Sequence, residues 1–241
     1  MAAGDKNQTM RMDELGTVRQ LALFSRLSND TYKDLMEGAH LQTLPPHLQL
    51  ITEGDSADFL HVVVDGLVEL FAESNGRETT LKVAGPLSTF ILAAVLKDAV
   101  YLASARTVQK SKVLLIPAKN VRDAVDDDVD FSRTIVQELA SDYRGLMKAL
   151  KGQKLRSTTE RLANYLLQQR QLQGGPETIT LPHGKKTLAS LLGMTPENLS
   201  RAFGTLRQHQ VEINGRDVQI TNVEDLTALA QPTPFIDDSE I

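Results

Sequence analysis

The apolar positions change period twice along the chain. From Met12 to about Ala39 they fall at helical spacing, with Leu21, Phe24 and Leu27 in one stretch and Tyr32, Leu35 and Met36 in the next, which predicts small packing helices. From Leu41 to Ile116 the runs become short and β-rich: Leu48–Thr52, Phe59–Val64, Leu67–Phe71, Thr79–Val83, Ala103–Val108 and Val113–Ile116. Turn signals separate them at Glu53-Gly54-Asp55, Asp65-Gly66, Ser74-Asn75-Gly76 and Gly85-Pro86. Short strands at this spacing predict an antiparallel roll or sandwich.

From Ala118 to Gly152 the helical period returns. Val136, Leu139, Tyr143, Leu146 and Leu150 follow one another at alternating steps of 3 and 4 residues. A stripe this narrow suits a parallel dimer, because a 3.5-residue repeat keeps one line of side chains facing the partner. The alternative is a helix packed on its own β domain. The aspartates at 126–128 are expected to solvate a turn. Ser157-Thr-Thr-Glu160 is a capping box, so a new helix starts there, with Leu162, Ala163, Leu166 and Leu167 inward. It ends before Gly174-Gly175-Pro176, which makes Gly152–Leu155 the expected hinge.

Two short helical patterns follow, Thr187–Leu192 and Pro196–Gln208, joined by Gly193-Met194-Thr195. Thr195 can cap the second, and Pro196 fits its first position, where a missing amide hydrogen costs nothing. Leu199, Phe203 and Leu206 share one face; Glu197, Ser200, Arg201 and Gly204 share the other. A polar face at the N-terminal end of a second helix is where a helix-turn-helix touches bases. Arg can place two donors on guanine O6 and N7, a carboxylate can accept from cytosine N4, and Ser serves a base or a phosphate. Val211-Glu-Ile213, Asn214-Gly215 and Val218-Gln-Ile220 then predict a hairpin with a type I′ turn, the wing. Lys185, Lys186 and Thr195 are the candidate phosphate contacts. Taken singly, Glu197 and Arg201 could be a surface pair and the lysines a solvated face; the order of elements points to DNA.

Charge sharpens this reading. The chain carries a net −5, yet between Lys154 and Asn222 the basic Lys154, Arg156, Arg161, Arg170, Lys185, Lys186, Arg201, Arg207 and Arg216 outnumber the acidic Glu160, Glu177, Glu197, Glu212 and Asp217. The 241 residues include no cysteine, which excludes disulfides, iron–sulfur clusters and thiol switches. No apolar run approaches the roughly 20 residues of a membrane span. Met1–Asp13 lacks the apolar core of a signal peptide, so a cytoplasmic protein is expected. No phosphate loop, nucleophile triad or metal cluster speaks for an enzyme.

The order β-roll, seam helix, winged helix-turn-helix resembles the family of the cyclic-AMP receptor protein and the fumarate-nitrate regulator, over roughly Leu21 to Leu229. The most specific stretch is Leu188-Ala-Ser-Leu-Leu-Gly-Met-Thr-Pro-Glu-Asn-Leu-Ser-Arg201, whose Glu197-x-x-Ser200-Arg201 is similar to the fumarate-nitrate-regulator recognition helix. The roll resembles the family in Glu53-Gly54-Asp55, the Phe59–Gly66 strand and turn, and Ser104-Ala105. The resemblance implies an α+β chain with a cyclic-nucleotide-binding-like jelly roll at 12–117, a dimerisation helix at 118–153 and a winged domain at 154–229, with an acidic tail at 230–241. It also implies a homodimer on inverted TTGA-type half-sites, and RNA polymerase as a partner if the protein activates.

The family's cyclic-nucleotide binders hold ribose and phosphate with a Gly-Glu pair and an Arg. The matching positions here are Leu92-Ala93 and Ala103. An anionic phosphate buried without its Arg would be an unpaired charge, so cyclic AMP is not expected. Ile91, Leu92, Ala93, Leu102 and Ala103 read instead as an apolar effector pocket, fit for a hydrophobic ligand or for haem, which some relatives use to sense gases. His61 and His47 are the candidate haem ligands, although a lone strand histidine is more often structural. Self-filling by the pocket's own side chains, and a ligand-binding or scaffold protein with a vestigial DNA domain, are the alternatives.

Overall fold

The computed structural model describes Gly16 and residues 18–238; the readings made on Met1–Asp13 and on the start of the first helical stretch lie outside the described residues. The chain forms two compact units that divide between Asp142 and Tyr143, inside a helix rather than at Gly152–Leu155.

In the first unit, helix α1 (Asn29–Leu35) is capped by Ser28, whose Oγ accepts the Thr31 amide at 3.0 Å. Eight strands follow: β1 (His40–Leu44), β2 (Gln49–Ile51), β3 (Phe59–Asp65), β4 (Val68–Ser74), β5 (Arg77–Ala84), β6 (Ser88–Phe90), β7 (Ser104–Thr107) and β8 (Ser111–Pro117), with the short helix α2 (Leu92–Lys97) between β6 and β7. They form two four-stranded antiparallel sheets, ordered β1-β8-β3-β6 and β2-β7-β4-β5. Leu60, Val62, Leu114 and Ile116 of the first sheet and Ile51, Val68 and Ala105 of the second fill the core between them. This burial drives the roll. Two turns fix its register. Asn75 and Gly76 both take positive φ, +51° and +72°, the pattern of a type I′ hairpin between β4 and β5. Gly66 has φ +90°, and a Cβ there would lie 2.3 Å from Ser111 Oγ, so only glycine fits.

The stretch from Ala118 to Gly152 is not one helix. It breaks into α3 (Ala118–Asp127) and α4 (Val129–Leu155). Asp128 is extended, its Oδ1 accepts the Phe131 amide at 2.9 Å and its Oδ2 accepts the Thr31 hydroxyl at 3.0 Å. The last of the three aspartates therefore caps α4 and ties it to α1 instead of solvating a turn. α3 buries Ala118, Val121 and Ala124 against the roll, and α4 adds Phe131 and Ile135 to the same core.

The second unit continues α4 into α5 (Thr158–Leu172). The predicted capping box is present: Ser157 Oγ accepts the Glu160 amide at 3.3 Å, and Glu160 Oε2 accepts the Ser157 amide at 2.6 Å. β9 (Thr178–Thr180), α6 (Lys185–Leu191), α7 (Pro196–Leu206), a 3-10 turn at Arg207–His209, β10 (Val211–Asn214), β11 (Asp217–Ile220), α8 (Val223–Ala230) and α9 (Pro234–Asp237) complete it. Leu162, Leu166, Leu188, Leu199, Phe203, Leu206, Val218 and Leu226 close a core of their own.

Candidate nucleic-acid interface

Helix α7 is built to present one polar face. Leu199, Ala202, Phe203 and Leu206 are buried, and Glu197, Ser200, Arg201 and Gly204 are exposed on the opposite side. Thr195 caps the helix through Oγ1, which accepts the Asn198 amide at 3.3 Å, and Pro196 stands at the first position. Glu197's own amide and the Thr195 hydroxyl hold the Glu197 carboxyl below its usual range, with Arg201 adding to the effect. Glu197 is thus ionised, and Arg201 stands one turn along on the same face. Thr195, expected as a phosphate contact, has its hydroxyl engaged within the helix N-terminus.

Lys185 and Lys186 are exposed and belong to the first turn of α6, where the sequence pattern had placed them just before a helix starting at Thr187. Cations at a helix N-terminus oppose the macrodipole by roughly 0.3–1 kcal/mol each. Two of them side by side are a poor choice for stability and a good one for holding phosphate.

The wing is a three-stranded antiparallel sheet, ordered β10-β11-β9. Asn214 pairs with Asp217, so the two turn residues are Gly215 and Arg216, one position later than the Asn214-Gly215 pair predicts. Of the two, only Gly215 has positive φ, +62°, which excludes type I′ and matches the sign pattern of type II′. β9, absent from the sequence reading, pairs with β11 beside this turn. Asp217 pairs with Thr180, the Leu181 amide donates to Arg216 O at 2.8 Å, and Arg216 Nε donates to Leu181 O at 2.8 Å.

Arg161, which the sequence reading counts only among the basic residues, bridges the helix-turn-helix turn and the end of α4. From α5 its guanidinium donates to Leu192 O at 2.9 Å and Gly193 O at 3.4 Å in the helix-turn-helix turn. It also donates to Arg156 O at 2.8 Å and Gln153 O at 3.3 Å at the end of α4. One cation thus satisfies the carbonyl ends of two helices. Gly193, at φ +62°, lies against the Gln153 side chain in the same junction. No side-chain partner in the sequence marks Arg161, because its acceptors are main-chain atoms.

The seam residues lie along α4. Val136, Tyr143, Leu146 and Leu150 are exposed, and Leu139 is half-buried against the roll core. At the proposed effector site, Leu92 and Ala103 are buried, Ile91 is half-buried, Ala93 is exposed and Leu102 is 81% exposed. Leu92 belongs to the core, and Leu102 faces solvent. Ile91 takes φ +67°, an outlier for a β-branched residue. His61 is buried, stacked on Phe90 at 5.2 Å and edge-on to Tyr101 at 6.4 Å, whereas His47 is exposed in the turn between β1 and β2. Arg106, on the neighbouring β7, is fully occupied: Nε donates to Glu69 at 2.9 Å, both terminal nitrogens donate to Glu78 at 2.7 Å, and the guanidinium lies over Phe71.

Residues 41–128 match the cyclic nucleotide-binding domain, and residues 160–229 match the Crp-like helix-turn-helix domain. The "Probable transcriptional regulator flp" of Lacticaseibacillus casei is 28% identical over 210 residues, spanning 86% of this chain and 95% of that protein. FixK2 from Bradyrhizobium japonicum superposes with a TM-score of 0.72 at 21% identity, over 81% of this chain and 98% of its own. A CooA variant from Carboxydothermus hydrogenoformans gives 0.69 at 18%, over 85% and 91%. At these identities the two structures speak for the fold, and the two domain matches, in this order, speak for the family. Among the described residues no helix is long and apolar enough to cross a membrane. With its roll, its long helix and its helix-turn-helix in the order those matches require, the chain belongs to the Crp/Fnr family of transcription regulators.

Proposed function

We propose that the chain acts as a homodimer that binds inverted TTGA-type half-sites, with Glu197, Ser200 and Arg201 of each protomer reading base edges and Lys185 and Lys186 gripping phosphates. The observation that carries this is the face of α7: three residues with base-reading chemistry are exposed at its N-terminal half, while the opposite face is sealed in the core. Dimerisation rests on the stripe of Val136, Tyr143, Leu146 and Leu150, apolar surface left exposed among the described residues. RNA polymerase is the further partner if the bound dimer activates.

The signal is proposed to be something other than a cyclic nucleotide, or the protein to be constitutively active. A cyclic phosphate needs a cation. Ala103 supplies none, and Arg106 is already held by two carboxylates, Glu69 being almost fully buried. Haem is disfavoured on packing, because iron at His61 would have to displace the rings of Phe90 and Tyr101.

Replacing Arg201 with Ala tests the reading. Affinity for an inverted TTGA duplex should fall by about 1–3 kcal/mol per half-site, and preference at the contacted base pair should relax. Unchanged sequence preference in the variant would show that α7 does not read bases.

A further inference from the structure

Residues 231–238, beyond the segment that matches the helix-turn-helix domain, dock back onto the second unit. Gln231 ends α8 with φ +44°, and after Pro232 the chain folds into α9 against the C-terminal end of α4. Arg156, the residue between α4 and the Ser157 cap, donates to Asp237 through both terminal nitrogens, to Oδ1 at 2.7 Å and Oδ2 at 2.5 Å. The pair is largely shielded, with side-chain exposures of 10% and 27%. Asp237 Oδ2 also accepts the Thr233 amide at 2.7 Å, which closes the turn that carries it. Further along α4, Lys148 donates to Asp238 O, Lys151 donates to Phe235 O at 3.3 Å, and Ile236 rests against Gly152.

The tie matters because little else fixes this end of α4. Among the described residues the core of the winged domain contains none from α4, and an open cleft of about 670 Å³ lies between Gly145 and Ala149 of α4 and Asn164 and Gln168 of α5. The end of α4 is held by Arg161, by Gln153 against Gly193, and by residues 231–238. These are mostly polar ties of modest net worth, which makes the junction adjustable where a shared apolar core would make it fixed. The contacts of 231–238 fall on Lys148, Lys151, Gly152 and Arg156, off the stripe of Tyr143, Leu146 and Leu150. One face of α4 is therefore left for a partner while another carries the tie.

We infer that residues 231–238 form a strap that sets the angle of the winged domain on α4, and that Asp237 is a positioning residue for DNA binding. This rests on the proposed function in one respect. Two recognition helices must lie one turn of DNA apart, so freedom at the α4–α5 junction weakens binding to paired half-sites and leaves a single half-site indifferent. The electrostatics agree with a maintained tie: burial alone would raise the Asp237 carboxyl, but the Arg156 hydrogen bonds, the Thr233 amide and the Lys148 charge together hold it below its usual range.

The test uses the full chain carrying Asp237→Asn, and a charge swap, Arg156→Asp with Asp237→Arg. Hydrogen exchange is measured at amides 152–160, and affinity is measured for an inverted TTGA duplex and for a single half-site. In Asp237→Asn, exchange at the junction should rise about tenfold and inverted-repeat affinity fall about fivefold, with half-site affinity unchanged. The swap should restore part of both, since it re-forms the ion pair while the Thr233 amide loses its acceptor. Unaltered exchange in Asp237→Asn, tighter or unaltered inverted-repeat binding, or a swap that restores nothing overturns the strap. Should the wild-type chain bind neither duplex, the DNA reading falls, and exchange with its rescue still decides the strap.

Discussion

Acidification should weaken the β-roll through one residue, His61. Its ring sits on β3 between Phe90 and Tyr101, 4% exposed, and its Nδ1 has no hydrogen-bond partner. Burial lowers its pKa from 6.5 to about 4, only partly countered by a hydrogen bond with the Phe59 backbone. A depressed histidine is neutral in the fold, so the stability it contributes is intact above pH 6.5. As the pH falls from 6.5 toward 4, the unfolded chain takes up a proton that the folded chain refuses. Each unit then removes about 1.4 kcal/mol, and about 3 kcal/mol is gone once the pH has passed through the folded value. That is a large share of the roughly 5–15 kcal/mol that holds a domain together. His61→Leu removes the titration at similar volume. Urea unfolding of the two proteins at about pH 7, 6 and 5, followed by far-ultraviolet dichroism, isolates the effect, because every other titrating group is common to both. The wild type should lose about 2 kcal/mol more than the variant between pH 6.5 and 5. Parallel losses, or a His61 resonance that titrates near 6.5 by NMR, would refute the reasoning.

Placing a carboxylate in the seam with Leu146→Asp should convert dimer to monomer in sedimentation equilibrium at micromolar concentration, since burying an unpaired charge weakens association by more than about a hundredfold. The double replacement of Lys185 and Lys186 by Ala should lower the slope of log affinity against log salt by about two, near 0.9 per lost phosphate contact, with base preference retained; an unchanged slope would free both lysines from the interface. Gly66→Ala should cost about 3 kcal/mol or more in thermal unfolding of the roll, because a Cβ would lie 2.3 Å from Ser111 Oγ and 2.6 Å from its Cα at a backbone conformation that L residues avoid.

What was legible in the sequence was what a single element decides for itself. The sealed and open faces of α7, its Thr195 cap and the Ser157–Glu160 box all depend on residues within one helix, and each is found as read. The two strands of the roll that escaped notice, β1 and β6, are an edge strand without alternation and a three-residue strand; their identity comes from pairing with β8 and β3, which no local period encodes. The break at Asp128 was missed for a related reason. Helical spacing runs on both sides of it; Asp128 caps α4 through the Phe131 amide, and the Thr31 hydroxyl, 97 residues away, holds its other carboxylate oxygen.

The dipeptide Asn-Gly occurs twice and shows where local reading stops. At Asn75-Gly76 it forms the type I′ turn its chemistry favours, because β4 and β5 meet with nothing else fixing their ends. At Asn214-Gly215 the same pair is displaced by one residue, and there β11 also pairs with β9 and Arg216 and Leu181 exchange two hydrogen bonds. The same limit separates the two ends of this regulator. The residues proposed to face DNA are defined by one exposed face of a single helix. Leu92 and Leu102, ten residues apart, have opposite surroundings, one in the core and one in solvent. The resemblance and apolarity together propose a pocket there; in the structure Ile91, left-handed at φ +67°, starts α2, and Leu92 packs into the core.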